Sequence, residues 1–190
     1  MAIIGFPNAG KSTLISRISN AKPKIADFPF TTLVPNLGVV KVDDFSFVAA
    51  DIPGLIEGAH EGKGLGIRFL KHTERSRLLI HLLDFSVENT RDPLDDYVTL
   101  QNELKCFSEE LYEKPQILVA GKIDHPEAKE KLESYRSRLL EINPLLAPIS
   151  SITGEGISDL LYQVKKSLLE LRRENVKPEE NLPTTELKTP

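Results

Sequence analysis

The chain has 190 residues, enough for one domain with a full hydrophobic core and at most a short tail. Its 24 lysine and arginine residues against 28 aspartate and glutamate residues give a net charge of −4, which excludes a general electrostatic attraction for nucleic acid and leaves only local RNA contacts. Since Cys106 is the single cysteine, an internal disulfide is excluded, and with no signal peptide or long apolar run we expect a cytoplasmic protein.

A phosphate-binding loop is predicted directly after the first strand. That strand, residues 1–4, is short, and we expect the natural strand to begin earlier because buried strands usually have five or six residues. The motif G-F-P-N-A-G-K-S at residues 5–12 matches G-x-x-x-x-G-K-[ST], and a helix is predicted over 11–20. In this motif, glycines let backbone N–H groups point at phosphate oxygens, Lys11 reaches the β- and γ-phosphates, and Ser12 holds Mg²⁺.

A long loop and a hairpin follow. Residues 22–36 contain three prolines and are predicted to lack regular structure, and loops of this length are usually functional. Strands are predicted over 37–41 and 45–50, ending at Asp51.

The D-I-P-G segment from Asp51 to Gly54 lies at the end of that hairpin. A carboxylate at the carboxyl end of a strand can hold Mg²⁺ through water, and Gly54 can donate its backbone N–H to a γ-phosphate. The alternative is an ordinary Asp-Pro-Gly turn, but the nearby phosphate loop favours the magnesium interpretation. Five of the eleven glycines lie between positions 54 and 66, which predicts conformational freedom there.

Helices alternate with buried strands over the rest of the chain. Helices are predicted over 67–77, 92–112, 126–142 and 156–173, and strands over 78–84, 116–120 and 147–150. This alternation predicts an α/β fold with a mostly parallel six-stranded sheet and helices on both faces. The domain is expected to cover residues 1–174, and the proline-containing segment 175–190 is expected to be a flexible tail or linker.

Residues that can recognise guanine follow the strand at 116–120. The carboxylate of Asp124 can accept from both the ring N–H and the exocyclic amine of guanine, a pair of donors that adenine lacks. The stem of Lys122 can lie along the base, and Ser150, Ser151 and Ile152 can present a backbone N–H to the guanine carbonyl. The alternative is a polar loop that caps a sheet edge, but the spacing from the phosphate loop favours GTP selection.

These motifs together resemble the GTPase domain of the Obg family of ribosome-associated GTPases, over nearly all of residues 2–172. The most specific portions are residues 5–13, 26–38 and 51–60 and the tripeptide Arg91-Asp-Pro93. The resemblance implies the P-loop GTPase fold, a first switch whose Thr32 binds Mg²⁺ and senses the γ-phosphate, and a second switch over 54–66. It also implies a glycine-rich N-terminal domain in the parent protein and the large ribosomal subunit, rRNA and proteins, as the usual partner.

The candidate site residues fall into three overlapping groups. Catalytic roles are expected for Lys11, Thr32 and Gly54, and the candidate magnesium ligands are Ser12, Thr32 and Asp51. The nucleotide GTP or GDP is expected to contact Asn8, Ala9, Gly10, Lys11, Ser12, Thr13, Phe30, Thr31, Thr32, Asp51, Gly54, Gly121, Lys122, Asp124, Ser150, Ser151 and Ile152.

Two departures from GTPase patterns bear on the chemistry. Gly121 stands where the family's base-reading motif has asparagine, and the lost hydrogen bond corresponds to about 0.5–1.5 kcal/mol. Leu55 follows Gly54 where Ras-like enzymes, unlike the Obg family, use a glutamine to orient the attacking water. Asn8 resembles the asparagine of GTPases that bind K⁺ beside the phosphates; the alternative is that it only shapes the loop.

The remaining features leave several interpretations open. A basic patch is predicted on the helix after the second switch and consists of Arg68, Lys71, Arg75 and Arg77. The default interpretation is a solvated helix face, and the alternative is an RNA-facing surface. We expect a slow, monomeric, magnesium-dependent GTPase. The competing hypothesis is a nucleotide-binding module with negligible turnover, which Leu55 and Gly121 favour, and an ATPase is a weaker third.

Overall fold

The computed structural model describes residues 1–19, 24–25, 36–51 and 76–174. Seven strands in these ranges are β1 (Ala2–Ile4), β2 (Lys24–Ile25), β3 (Asn36–Val42), β4 (Phe45–Asp51), β5 (Leu79–Asp84), β6 (Gln116–Gly121) and β7 (Leu146–Pro148). The helices in the same ranges are α1 (Lys11–Ile18), α2 (Pro93–Phe107), α3 (Glu109–Tyr112), α4 (Pro126–Ile142) and α5 (Ile157–Glu174).

All seven strands form one sheet in the order β2-β3-β4-β1-β5-β6-β7. The pairs β4–β1, β1–β5, β5–β6 and β6–β7 are parallel, whereas β2–β3–β4 is antiparallel. The mostly parallel sheet of six strands is confirmed, and β2 adds a two-residue edge strand to it. The prediction that residues 22–36 lack regular structure is therefore wrong at Lys24 and Ile25, which pair with Leu37 and Asn36.

The core lies on both faces of the sheet because successive residues of a strand point to opposite sides. In β1, Ile3 joins a cluster with apolar residues of α1 and α5, while Ala2 and Ile4 join a cluster with α2. A third cluster joins β5 and β6 to α4. The predicted helical layers on both faces are thus confirmed.

The helix predicted over 92–112 is interrupted at Ser108. This residue has extended backbone angles, φ −158° and ψ 117°, and its hydroxyl accepts from the backbone N–H of Leu111 at 3.3 Å. Serine competes with the backbone for hydrogen bonds and favours helix starts over helix interiors, so it ends α2 and caps α3. The apolar periodicity continues across the break, which is why it predicted one helix.

Other differences concern ends and single residues. Ser76 and Arg77 lie outside any helix, so the prediction of a helix over 67–77 is wrong at these two residues. Residues 67–75 fall outside the described residues, as do the second switch and the tail. Cys106 is exposed on α2. Among the helices described, none is long and apolar enough to cross a membrane.

His81 of β5 is fully buried beneath α2. Its ring stacks on Tyr97 with the centroids 4.9 Å apart, and its Nδ1 lies 3.4 Å from the amide nitrogen of Gln101, which donates to Gln116 at 2.6 Å. Burial lowers the pKa of His81 to about 3, against a smaller opposing effect of Gln116. The imidazole is therefore a neutral core group.

Candidate functional site

The phosphate loop connects β1 to α1 and has the backbone form of an anion site. Asn8 and Gly10 adopt left-handed conformations, with φ of 63° and 98°. Gly10 is the N-cap of α1 and supplies no side-chain hydrogen bond to the first turn, which also lacks acidic residues. The N–H groups at the start of α1 therefore have no side-chain cap, and together with the helix dipole they favour a bound phosphate.

The start of the loop packs tightly on β5. A Cβ atom built on Gly5 would lie 2.6 Å from the carbonyl oxygen of Leu82, a distance that no side chain tolerates. Glycine is required here by close approach of two backbones, and this contact fixes the depth of the loop against the sheet.

The side chain of Lys11 folds back onto the first residues of the phosphate loop. Its ammonium group donates to the carbonyl oxygens of Gly5 and Phe6 at 2.9 and 3.1 Å. Partial burial lowers the pKa of Lys11, and the charge of Asp51 opposes that effect. The loop carbonyls thus hold the amine beside the N-terminus of α1, where a phosphate charge would stabilise it.

Ser12 and Asp51 meet at the carboxyl ends of adjacent strands. The Ser12 hydroxyl donates to Oδ2 of Asp51 at 2.6 Å, and the side chain of Asn36 reaches the same hydroxyl at 3.4 Å. Asp51 is 4% exposed, and its Oδ1 atom is buried without a hydrogen-bond partner in the described residues. Buried carboxylate oxygens are normally satisfied, so this orphaned atom beside a hydroxyl fits a hard cation such as Mg²⁺.

Lys122, in the loop after β6, lies beside the phosphate loop. It has a left-handed backbone, φ 62°, and its Cε lies 3.8 Å from the place a Cβ on Gly10 would take. The ammonium group donates to Asp84 at 2.7 Å, at the end of β5. Burial opposes ionisation of Asp84, but hydrogen bonds from Lys122 and Ser86 outweigh it, so the pKa of Asp84 lies below its ordinary value.

Asp124 is held by the loop after β7. The buried hydroxyl of Ser150 donates to its Oδ1 at 3.1 Å and accepts from the backbone N–H of Thr153 at 3.1 Å. The Asp124 side chain keeps 18% of its surface exposed, with His125 Nε2 at 3.6 Å from Oδ2. The carboxylate is oriented by the protein and still open to a ligand.

The structure brings the predicted residues of four segments to one edge of the sheet. These are the phosphate loop, the end of β4 at Asp51, the loop after β6 and the loop after β7, in which Ile152 is 72% exposed. The candidate residues Phe30, Thr31, Thr32 and Gly54 lie outside the described residues, so their roles stay predictions.

Three residues of this region were not among the predicted site residues: Asn36, Asp84 and Arg91, of which Arg91 belongs to the tripeptide that carries part of the family resemblance. Asp84 carries a signal that could have found it, because it ends a parallel strand between the two strands that supply the motifs. Asn36 and Arg91 reach the site through contacts that no local pattern encodes. Arg91 lies with its guanidinium carbon 4.6 Å from the ring centroid of Phe6.

Comparisons with known proteins agree with this geometry. The family model described as 50S ribosome-binding GTPase matches residues 1–122. The chain is 54% identical over 169 residues to a GTPase Obg of Bacillus velezensis, with 88% of the chain and 39% of that protein covered. It is 54% identical over 172 residues to a GTPase Obg of Desulfitobacterium hafniense, with 90% and 40% covered. The chain thus spans about two fifths of the length of these curated relatives.

Solved structures show the same fold. Era of Aquifex aeolicus, bound to GDP.AlF4-, superposes with a TM-score of 0.64 at 26% identity, covering 87% of this chain and 55% of that one. The G domain of the T. maritima FeoB iron transporter superposes with a TM-score of 0.60 at 23% identity, covering 90% and 96%. At that identity the second likeness supports the fold alone.

Proposed function

This chain belongs to the 50S ribosome-binding GTPase family, as a GTPase domain of the Obg type, and we propose that it binds GTP and GDP and hydrolyses GTP slowly with Mg²⁺. The observation that carries the proposal is the arrangement of Lys11, the Ser12–Asp51 pair and the Ser150–Asp124 pair at one edge of the sheet. If GTP bound along this edge, its phosphates would contact Lys11 and the Ser12–Asp51 pair, and its base would contact the carboxylate of Asp124.

At the phosphate end, the chain's own groups position the triphosphate. The Lys11 amine and the N–H groups of the first turn of α1 would bind the β- and γ-phosphate oxygens. The Mg²⁺ ion would be held by the hydroxyl of Ser12, by Asp51 through water and by Thr32 of the first switch. When bound, the ion neutralises phosphate charge. Gly54 would donate its backbone N–H to the γ-phosphate. Loss of that phosphate would release Thr32 and Gly54, which is how such domains act as switches.

At the base end, Asp124 would select guanine. Its carboxylate accepts hydrogen bonds only, and guanine offers two adjacent donors where adenine offers an acceptor. The Lys122 stem would lie along one face of the base while its ammonium group stays paired with Asp84. Ser151 and Ile152 would contribute the backbone N–H for the guanine carbonyl.

The hydrolysis step would lack the water-orienting glutamine of Ras-like enzymes, since Leu55 cannot hydrogen-bond. We therefore expect turnover on the order of 10⁻⁴ to 10⁻² s⁻¹. Phosphate release from GTP by the purified chain, with Mg²⁺ and after its removal by chelation, tests this. Nucleotide binding without any magnesium-dependent release would instead support the second candidate, a binding module, which Leu55 and Gly121 favour.

A potassium ion could supply part of the missing charge stabilisation. The Asn8 side chain is exposed at the mouth of the loop, on a backbone with φ 63°, and its amide oxygen is a ligand type that K⁺ accepts. Equal turnover in K⁺ and Na⁺ at matched ionic strength would reject this site. If the site exists, Asn8→Ala removes the difference between the two salts.

In the cell, we propose that the parent protein acts with the large ribosomal subunit, its rRNA and proteins, in subunit assembly. The family description names 50S ribosome binding, and the curated relatives extend well beyond the part that this chain matches. We further propose that the chain is cytoplasmic and monomeric, and that the GTPase domain covers residues 1–174 with 175–190 as a flexible tail or linker. Co-sedimentation of the parent protein with 50S subunits in GTP and in GDP tests the partner.

A further inference from the structure

The tripeptide Arg91-Asp-Pro93 has a structural role that the nucleotide site does not explain. It lies in the loop between β5 and α2, where Asp92 is the N-cap of α2 and accepts from the backbone N–H of Leu94 at 2.7 Å. The hydroxyl of Tyr135 on α4 donates to the other carboxylate oxygen of Asp92 at 2.8 Å. Two helices therefore hold this loop in place.

Arg91 uses that fixed position to reach the phosphate loop. Its guanidinium lies 4.6 Å from the centroid of the Phe6 ring, within the range of a cation–π contact. Its Nε donates to both carboxylate oxygens of Asp96, at 2.8 and 3.1 Å. The Asp96 side chain is only 5% exposed, against 47% for Arg91, so a buried anion orients a partly exposed cation over the ring.

Phe6 connects this contact to the chemistry. It is the second residue of the phosphate loop, and its carbonyl oxygen is one of the two acceptors that hold the Lys11 amine. A shift of Phe6 that carried its backbone along would therefore move an acceptor of the lysine proposed to bind phosphate.

The other end of the same loop also contacts the phosphate loop. Asp84 pairs with Lys122, which lies across Gly10. Asn89 joins the two ends, since its amide donates to the carbonyl oxygen of Asp84 at 2.7 Å and its oxygen accepts from the backbone N–H of Arg91 at 3.3 Å.

We propose that Arg91 is a positioning residue for the phosphate loop, oriented by Asp96 and acting through the ring of Phe6. The inference rests on the proposed guanine nucleotide site. Arg91 keeps the loop in the arrangement that accepts phosphate before the nucleotide arrives, so its loss weakens binding without removing any group that touches the ligand. A cation–π contact at a partly exposed site corresponds to about a two- to fivefold change in an equilibrium constant.

The test compares Arg91→Ala with a matched control, Arg172→Ala. The guanidinium of Arg172 also lies 4.6 Å from a ring centroid, that of Phe45. Phe45 is the first residue of β4, at the opposite end of that strand from Asp51 of the nucleotide site. Calorimetric titration with GDP and thermal unfolding of the nucleotide-free chain are measured for both. We expect the GDP dissociation constant to rise about two- to fivefold for Arg91→Ala and to stay unchanged for Arg172→Ala.

A double-mutant cycle with Phe6→Leu identifies the route, and Arg91→Lys serves as the conservative rescue. If Arg91 acts through the ring, the double variant binds GDP no more weakly than whichever single variant has the lower GDP affinity. Arg91→Lys then recovers part of the affinity that Arg91→Ala loses. Multiplicative effects in the cycle, or a lower unfolding temperature with unchanged GDP affinity, would overturn the proposal. If the unmutated chain binds no guanine nucleotide, the proposed function itself fails. Equal GDP dissociation constants of the two arginine variants would instead overturn only the role of Arg91.

Discussion

The hydroxyl of Ser150 donates a hydrogen bond to Oδ1 of Asp124 across 3.1 Å, although 26 residues separate the two in sequence. The contact joins the loops that follow β6 and β7, which are neighbouring parallel strands. Because Ser150 is fully buried, its hydroxyl is fixed, and it orients one carboxylate oxygen while the other stays available. Under the proposed function, guanine recognition would therefore depend in part on a residue that need not touch the base.

Ser150→Ala should weaken GDP binding about two- to tenfold. A hydrogen bond to a charged group is worth about 1.5–3 kcal/mol, and only the part that orients Asp124 for the base is lost from binding. The preference for guanine over adenine should persist, since Asp124 remains. Ser134→Ala is a suitable control, as the Ser134 hydroxyl only donates to the carbonyl of Lys131 on an exposed helix face. Calorimetric titration of both variants checks this, and equal affinities would show that Ser150 does not position Asp124.

Lys11→Ala and Thr32→Ala should differ in which nucleotide they affect. The first should abolish tight binding of both GTP and GDP, because the loop would meet several phosphate charges without its cation. The second should leave GDP affinity nearly unchanged and weaken the binding of a non-hydrolysable GTP analogue, since Thr32 is expected to contact the nucleotide site only when a γ-phosphate is bound. Equilibrium titrations with both ligands measure this. Equal loss for Thr32→Ala would contradict the placement of the first switch.

Gly121→Asn should restore the family's base-reading side chain at a structural cost. A Cβ at this position would lie 2.8 Å from the Cδ1 methyl of Leu82 and 3.3 Å from the carbonyl oxygen of Leu83. The methyl can move, so we expect a stability loss of about 1 kcal/mol together with a two- to tenfold gain in GDP affinity. Gly121→Ala supplies the Cβ without the amide. If both variants bind GDP equally, the asparagine hydrogen bond does not form here.

Stability should fall as the pH drops below about 6.5, and His81 should account for much of the change. Its pKa is about 3 in the folded chain against 6.5 when exposed, because burial disfavours the charged ring. Between these values the unfolded chain binds the additional proton, so the free energy of unfolding rises with pH across this window. His81→Phe keeps a ring against Tyr97 and should flatten the dependence between pH 4 and 6.5 in urea unfolding. An unchanged slope would show that other groups cause it.

The sequence was informative where chemistry demands a residue type at a strand end. The positions of the phosphate loop, Asp51 and Asp124 were predictable because parallel strands direct their carboxyl ends to one edge of the sheet. Their roles in binding phosphate and guanine stay predictions. Local patterns also placed all six predicted strands and the helices α1, α4 and α5 to within two residues.

What the sequence did not predict depends on tertiary contacts or on weak local signals. The Phe6–Arg91 and Asp84–Lys122 contacts join residues far apart in sequence, and nothing near either partner specifies the other. The two-residue strand β2 exists through pairing with β3, not through its own propensity. At Ser108, by contrast, a helix-start residue followed by two glutamates was a usable signal that the apolar periodicity obscured.

The most direct test of the central claim is competition for the site between guanine and adenine nucleotides. A fluorescent GDP analogue bound to the purified chain with Mg²⁺ is displaced with GTP or with ATP, and the titration is repeated on Asp124→Asn. We predict that GTP displaces the probe at far lower concentration than ATP and that Asp124→Asn weakens probe binding and narrows the difference. Equal displacement by GTP and ATP in the unmutated chain would contradict a guanine nucleotide site built around Asp124.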